Sequence, residues 1–129
     1  MAQKATGAFE VKIVPQQDAE MTVPARMTLD KTFRGDLEAV SKGIMLSVRT
    51  AIPNSAGYVA MEQVEGTLHG KKGSFALQHS GTMNRGEASL KVTVVPDSGT
   101  DDLTGLSGTL AIIIEGGKHS YEFDYDILA

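Results

Sequence analysis

The 129 residues of this chain are enough for one domain, which would bury roughly two thirds of the surface of its unfolded chain. Apolar residues make up 41% of the sequence and charged residues 22%, a balance typical of globular proteins that argues against disorder. The net charge is −4 and the Lys and Arg residues are scattered, which argues against nucleic acid or an anionic membrane as a partner.

Three absences in the sequence favour the cytoplasm. It has no cysteine, and therefore no disulfide bonds or thiolate chemistry, which fits the reducing cytosol. Its first residues lack the basic region, long apolar run and cleavage site of a secretion signal. The longest strongly apolar run, residues 110–114, is far too short to span a bilayer. We therefore predict a cytoplasmic protein with no membrane partner.

Apolar and polar residues alternate with a period of two along the chain, and no segment keeps the apolar spacing of a helix over three turns. A first strand alternates at Phe9, Val11 and Ile13 and should end near Pro15. Residues 15–24, bounded by two prolines, predict a loop and are the best candidate for a mobile segment.

The second and third strands are predicted to join in a tight turn at residues 34–35. Apolar residues mark the second strand at Met27, Leu29 and Phe33. With this turn Lys31 and Glu38 would face each other as an exposed pair, worth about 0–1 kcal/mol. The third strand is predicted over residues 37–50, with Gly43 a candidate for a bulge, and Pro53-Asn54 then turns the chain.

A hairpin from Tyr58 to Met83 is the centre of the prediction. With a turn at the Gly-Lys-Lys-Gly sequence of residues 70–73, partners sum to 143 in residue number, so Glu62 faces Gly81. Glu62 then lies on the apolar face, diagonal to His79 and within reach of its side chain. A three-residue loop would instead turn Glu62 to the other face.

The last three strands follow a turn at residues 84–86. One strand is predicted around residues 90–95, and residues 96–106 form a loop rich in turn formers. Gly116-Gly117 is a strong signal for a two-residue hairpin turn, which makes partners sum to 233. Ile112 then faces Tyr121 and Leu110 faces Phe123, on a face that also receives Tyr125.

Eight strands with short connections make a sandwich or a barrel. We prefer one all-β domain over residues 1–129, a closed eight-stranded antiparallel β-barrel. Eight closed strands leave an interior that is either filled by side chains or wide enough for one small ligand.

Four stretches of the sequence resemble a bacterial domain-of-unknown-function family, number 3224. They cover residues 27–43, 57–83, 92–110 and 117–125, beginning MTLDKTFRG, GYVAMEQVEG, VTVVPDSGT and GKHSYEFDY. The resemblance implies an eight-stranded barrel of the allene oxide cyclase-like group. It implies no activity, because the family is uncharacterised and no catalytic motif of allene oxide cyclase can be placed on this sequence.

Glu62 and His79 are the candidate catalytic pair. A carboxyl and an imidazole on an apolar barrel face could transfer a proton, or could simply be a hydrogen-bonded buried pair. Seven further residues are predicted to line a ligand site on the same face: Tyr58, Phe75, Leu77, Ile112, Tyr121, Phe123 and Tyr125.

A metal site and a cofactor are not predicted. His69, His79 and His119 match no known ligand spacing, and a zinc site needs three or four converging ligands. His69 is expected beside a turn on the opposite face from His79, and His119 at one end of the barrel.

Two functions of different class remain open. In the first, the interior of the barrel binds or isomerises a small apolar molecule, with Glu62 and His79 as the proton-transfer pair. In the second, the protein is a non-enzymatic homo-oligomeric module with a packed interior. The second is motivated by apolar residues predicted on the outer face, Ala111 and Ile113 together with Val59 and Met61.

Overall fold

The computed structural model describes residues 3–16 and 24–128, and these form a closed eight-stranded barrel. Each strand pairs antiparallel with its neighbours in the sequence, and β1 closes the barrel by pairing with β8. The predicted fold is confirmed. The strands are β1 (Gln3–Gln16), β2 (Ala25–Phe33), β3 (Leu37–Arg49), β4 (Ala56–Leu68), β5 (Lys71–Asn84), β6 (Glu87–Val94), β7 (Leu106–Glu115) and β8 (Lys118–Ile127).

The first strand ends at Gln16, close to the predicted end near Pro15. Most of the predicted mobile loop, residues 17–23, lies outside the described residues. The predicted loop at residues 96–106 contains a short 3₁₀ helix, Asp101–Leu103, and its Leu103 is buried. Within the described part of the chain, no helix has the length and apolar character needed to cross a membrane.

The period-two alternation of the sequence decides which side chains lie inside. Along β5 the odd-numbered residues from Gly73 to Gly81 are buried, whereas Gln78 and Ser80 between them are exposed. Burial of each large apolar side chain stabilises the fold by about 1.5–3 kcal/mol. The core includes Phe33, Leu37, Val64, Leu68, Phe75, Leu77, Leu103, Tyr121, Phe123 and Tyr125.

The β7–β8 hairpin has the predicted register. Ile112 pairs with Tyr121 and Leu110 pairs with Phe123. Gly116 and Gly117 have φ of 58° and 78°, the left-handed values that a type I′ turn requires at both positions and that glycine adopts without strain. The local sequence was therefore sufficient to set this register.

The predicted register of the β4–β5 hairpin is wrong by four residues. Glu62 pairs with Leu77 rather than Gly81, because the two-residue turn is His69-Gly70 and not the lysine pair. Both turn residues have positive φ, 47° and 79°, and histidine adopts such values less readily than glycine. Since four is an even number, every side chain keeps its predicted face.

The predicted β2–β3 register is wrong by an odd number of residues, and this error moves the Lys31 side chain to the other face of the sheet. Lys31 pairs with Ser41 and lies inside the barrel, 8% exposed, rather than beside Glu38 on the surface. Three residues separate the strands, and the carboxylate of Glu38 instead accepts a hydrogen bond from the backbone N–H of Gly35.

Gly43 does not form the predicted bulge. It pairs in uninterrupted register with Leu29 on one side and Glu62 on the other. A Cβ at this position would lie 2.8 Å from the Cβ of Glu62 and 2.5 Å from the carbonyl oxygen of Met61. Glycine is therefore required here because it makes room for the Glu62 side chain inside the barrel.

The two ends of the barrel differ. One end, which we call the base, is closed by the β2–β3 turn and the loop that carries Leu103. The hydroxyl of Tyr121 fixes this turn, since it donates to the carbonyl of Arg34 and accepts from the N–H of Leu37. The other end, which we call the mouth, carries the β3–β4, β5–β6 and β7–β8 connections.

Candidate functional site

Four polar side chains are buried in the middle of the barrel. Lys31, Ser41, Glu62 and His79 lie on the consecutive strands β2 to β5 and are between 2% and 8% exposed. All four point inward because they share the parity of the apolar residues on their own strands. We call them the buried polar cluster.

Glu62 is the centre of the cluster. Its Oε2 accepts hydrogen bonds from Nζ of Lys31 at 2.8 Å and from Nε2 of His79 at 2.6 Å, and its Oε1 accepts one from the hydroxyl of Ser41 at 2.8 Å. The ammonium group of Lys31 also lies 5.3 Å and 5.9 Å from the ring centres of Phe9 and Phe33, within range of cation–π attraction. Both carboxylate oxygens thus accept hydrogen bonds from neighbouring side chains.

The surroundings of Glu62 keep it ionised. Burial raises the pKa of this carboxyl, but the hydrogen bond from His79 and the charge and hydrogen bond of Lys31 outweigh burial and lower the pKa to about 2. At neutral pH the group is therefore a carboxylate whose two oxygens are both occupied. Such a group orients its neighbours and is poorly placed to accept a further proton.

The two ring nitrogens of His79 differ in their contacts. Because the Glu62 carboxylate only accepts hydrogen bonds, Nε2 of His79 must carry the proton in their contact. Nδ1 makes no hydrogen bond within the described part of the chain. The predicted closeness of Glu62 and His79 is confirmed, whereas their role as a proton-transfer pair stays a prediction.

A pocket of about 430 Å³ opens at the mouth of the barrel, above His79. Its wall is mainly apolar, formed by inward-facing residues near the ends of β2 to β6, and Arg49 and the hydroxyl-bearing Ser47, Thr82 and Ser89 also border it. The ring of Tyr58 lies 6.3 Å from the ring of His79, centre to centre, and links the pocket to the buried polar cluster. The apolar part of the wall comprises Met27, Met45, Ala56, Tyr58, Met83, Ala88 and Leu90.

The other predicted ligand-site residues lie deeper in the barrel. Phe75, Leu77, Tyr121, Phe123 and Tyr125 are at most 2% exposed and pack together in the core, with Phe75 and Phe123 stacked at 5.8 Å. Ile112 is partly buried against the same core. The predicted role of these six residues in ligand binding stays a prediction, and Tyr58 is the predicted residue that lines the mouth pocket.

The three histidines lie apart. His69 is in the β4–β5 turn at the base, hydrogen-bonded through Nδ1 to the hydroxyl of Tyr125, and His119 packs edge-on against Phe9 near the mouth. No group of three or more histidine, aspartate or glutamate side chains able to hold a metal ion occurs among the described residues.

Sequence reasoning missed Lys31 and Ser41 as partners of Glu62. A signal was present for both. Lys31 falls between Leu29 and Phe33 in the period-two pattern of β2, and Ser41 falls between Ala39 and Gly43 in β3. The turn predicted at residues 34–35 instead paired Lys31 with Glu38 on the surface, where lysine side chains usually lie.

The comparisons with known proteins agree with the fold and assign no activity. The profile of the family described as "Protein of unknown function (DUF3224)" matches residues 5–125. The crystal structure at 1.84 Å resolution of a protein of unknown function from the same family, from Shewanella oneidensis MR-1, is 50% identical, with a TM-score of 0.94 over 100% of both chains. Among curated proteins, none matches. The allene oxide cyclase-like grouping stays a prediction, and the chain belongs to the DUF3224 family.

Proposed function

We propose that the protein binds one small, mainly apolar molecule in the pocket at the mouth of the barrel. The observation that carries the proposal is this pocket, since about 430 Å³ lined by methionine, leucine and tyrosine side chains is within the usual size of small-molecule sites. The flexible, polarisable methionine side chains would fit ligands of irregular shape.

The buried polar cluster supports a binding role more than a catalytic one. Glu62, the expected proton carrier, accepts three hydrogen bonds. Burial raises its pKa, but His79 and Lys31 lower the pKa to about 2. Isomerisation with Glu62 and His79 as a proton-transfer pair stays a prediction. In the function we propose, the cluster holds His79 in place beneath the ligand.

The methionines offer a direct test of the site. With [ε-¹³C]methionine labelling, Met27, Met45 and Met83 report on the pocket, whereas Met61, 51% exposed on the outer wall, is an internal control. Titration with toluene, a compact apolar probe, is expected to shift the three pocket signals in a saturable way and to leave Met61 unchanged. Equal shifts at Met61, or no shift at the pocket methionines, would refute the proposal.

A matched pair of variants strengthens this experiment. Ala88→Leu adds volume to the wall of the pocket, and Ala111→Leu adds the same volume at an exposed outer position of β7. Toluene binding should weaken at least tenfold in the first variant and stay unchanged in the second. Unfolding curves of both proteins verify that neither variant disturbs the barrel.

An apolar patch on the outer wall favours a second candidate, a non-enzymatic homo-oligomer. Ile44 pairs with Met61 and Leu46 pairs with Val59 across β3 and β4, and these four side chains are 39–52% exposed. Contiguous apolar surface of this kind often marks a subunit interface. Light scattering combined with size-exclusion chromatography should find an oligomer that Met61→Lys dissociates. A monomer at every concentration would contradict this candidate.

A further inference from the structure

We propose that the mouth pocket recognises a neutral ligand through one hydroxyl group, which donates a hydrogen bond to Nδ1 of His79 and accepts one from the hydroxyl of Tyr58. This inference rests on the proposed function and adds to it the chemical class of the ligand.

His79 supplies the acceptor. Its side chain is 3% exposed and its Nε2 is held by Glu62, yet Nδ1 has no hydrogen-bond partner within residues 3–16 and 24–128. Lys31 contacts the same Oε2 atom and supplies a positive charge opposite Glu62. In the neutral tautomer with the proton on Nε2, Nδ1 carries a lone pair and accepts hydrogen bonds.

Tyr58 supplies the donor. It lines the pocket, and its hydroxyl forms no hydrogen bond to any residue that the structure describes. Its ring lies over Gly81, where a Cβ would come within 2.5 Å of it, so the pair of strands fixes the orientation of the ring. Burial and the nearby charge of Glu62 raise the pKa of Tyr58, and the phenol therefore stays protonated and able to donate at neutral pH.

The two rings lie close together: Tyr58 lines the pocket, and His79 lies beneath its lining. Tyr58 pairs with Gly81, and His79 is one inward-facing position deeper on β5, which brings the two rings to a centre-to-centre distance of 6.3 Å. A ligand that fills the pocket above them has to satisfy a donor and an acceptor together, because a buried polar group without a partner costs about 1–3 kcal/mol.

A hydroxyl group meets both demands through one atom. It has one hydrogen to donate to Nδ1 and lone pairs to accept from Tyr58, whereas a carbonyl or a carboxylate has nothing to donate. A charged ligand would have to lose its hydration in a mainly apolar pocket, which is costly. Arg49 lies at the exposed rim, where water screens its charge.

Phenol and toluene, which differ by a hydroxyl in place of a methyl group, are the probes. In the wild-type protein both should shift the pocket methionine signals. Tyr58→Phe should weaken phenol binding by about two- to tenfold, the effect of one hydrogen bond, and change toluene binding by less than twofold. His69→Gln, at the base of the barrel, is the control and should alter neither affinity.

A second measurement does not depend on any variant. Two-bond ¹H–¹⁵N correlation spectra of the histidine rings should show His79 with its proton on Nε2, and phenol but not toluene should move the Nδ1 signal. A doubly protonated His79, an Nδ1 signal that phenol leaves unchanged, or equal losses of phenol and toluene affinity in Tyr58→Phe would each overturn the inference. Toluene binding together with one of these results would leave the proposed function intact, whereas failure of both probes would refute both proposals.

Discussion

Replacement of Lys31 by methionine tests whether the buried polar cluster stabilises the barrel. Methionine keeps the unbranched apolar stem of the side chain and removes the ammonium group, which lies 2.8 Å from the carboxylate of Glu62. Glu62 would keep its hydrogen bonds from His79 and Ser41 but would lose the positive charge opposite it. The variant therefore leaves a buried anion without its charged partner.

Two routes give the size of the expected effect. Removal of one partner of a buried ion pair typically costs about 3–5 kcal/mol. The pKa of Glu62 is lowered to about 2 although burial raises it, so His79 and Lys31 together stabilise the ionised form by more than the net value of about 3 kcal/mol, at 1.36 kcal/mol per pKa unit. Loss of the cation–π contacts with Phe9 and Phe33 adds to the first figure. We expect Lys31→Met to lower the free energy of unfolding by about 3–5 kcal/mol at pH 7.

Urea unfolding followed by far-ultraviolet circular dichroism is the assay, since the sequence has no tryptophan to report by fluorescence. Lys4→Met is the control: Lys4 lies 3.8 Å from Asp124 in an ion pair whose side chains are more than half exposed. This exposed pair should contribute about 0–1 kcal/mol. The difference between the two variants measures burial rather than loss of a lysine.

The double variant Lys31→Met, Glu62→Gln completes the test. Since it removes both charges, it should be more stable than Lys31→Met alone, because two neutral groups in the core cost less than one unpaired ion. A Lys31→Met protein within 1 kcal/mol of wild type, or a double variant less stable than the single one, would refute the reasoning.

The other predictions rest on single contacts. Burial raises the pKa of Glu62, but His79 and Lys31 lower its folded-state pKa to about 2, which is below the unfolded value of about 4.3. The contribution of Glu62 to stability should therefore be complete above pH 5 and be lost progressively as the pH falls toward 2. Urea unfolding across that pH range measures this loss. Gly43→Ala should destabilise the barrel by more than 1 kcal/mol, because its Cβ would meet the Cβ of Glu62 at 2.8 Å. Gly57→Ala should be nearly neutral, because the nearest atom to its Cβ would be 3.8 Å away. Thermal unfolding of the two proteins compares these effects. Tyr121→Phe should cost about 1–3 kcal/mol, because the N–H of Leu37 and a backbone carbonyl at the base lose their shared partner, and faster amide exchange at Leu37 would locate the effect.

The sequence predicted the barrel because the period-two pattern is a local property. Each strand alternates residues that avoid water with residues that do not, and this alone separates the inner from the outer face. The Gly116-Gly117 turn even set the register of its hairpin, since its two left-handed positions allow one pairing. Glu62 and His79 were placed on one face for the same reason, and an error of four residues in the register did not separate them.

The remaining features depend on turns whose sequences favour several registers. The chain between β2 and β3 is held by the hydroxyl of Tyr121, 84 residues away from Leu37, and no local pattern contains that contact. The resulting register turns Lys31 inward.

The alternation of apolar residues along each strand thus determined which side chains face the interior, and it placed the carboxyl and the imidazole there. Only the tertiary structure decided that Lys31 and Ser41 join them, that Glu62 is held as a satisfied carboxylate, and that the pocket opens at the mouth above Tyr58 rather than among the core aromatics. The physical reason is that a face is set by neighbours two residues apart, whereas partners within a closed barrel are set by contacts between residues far apart in the chain.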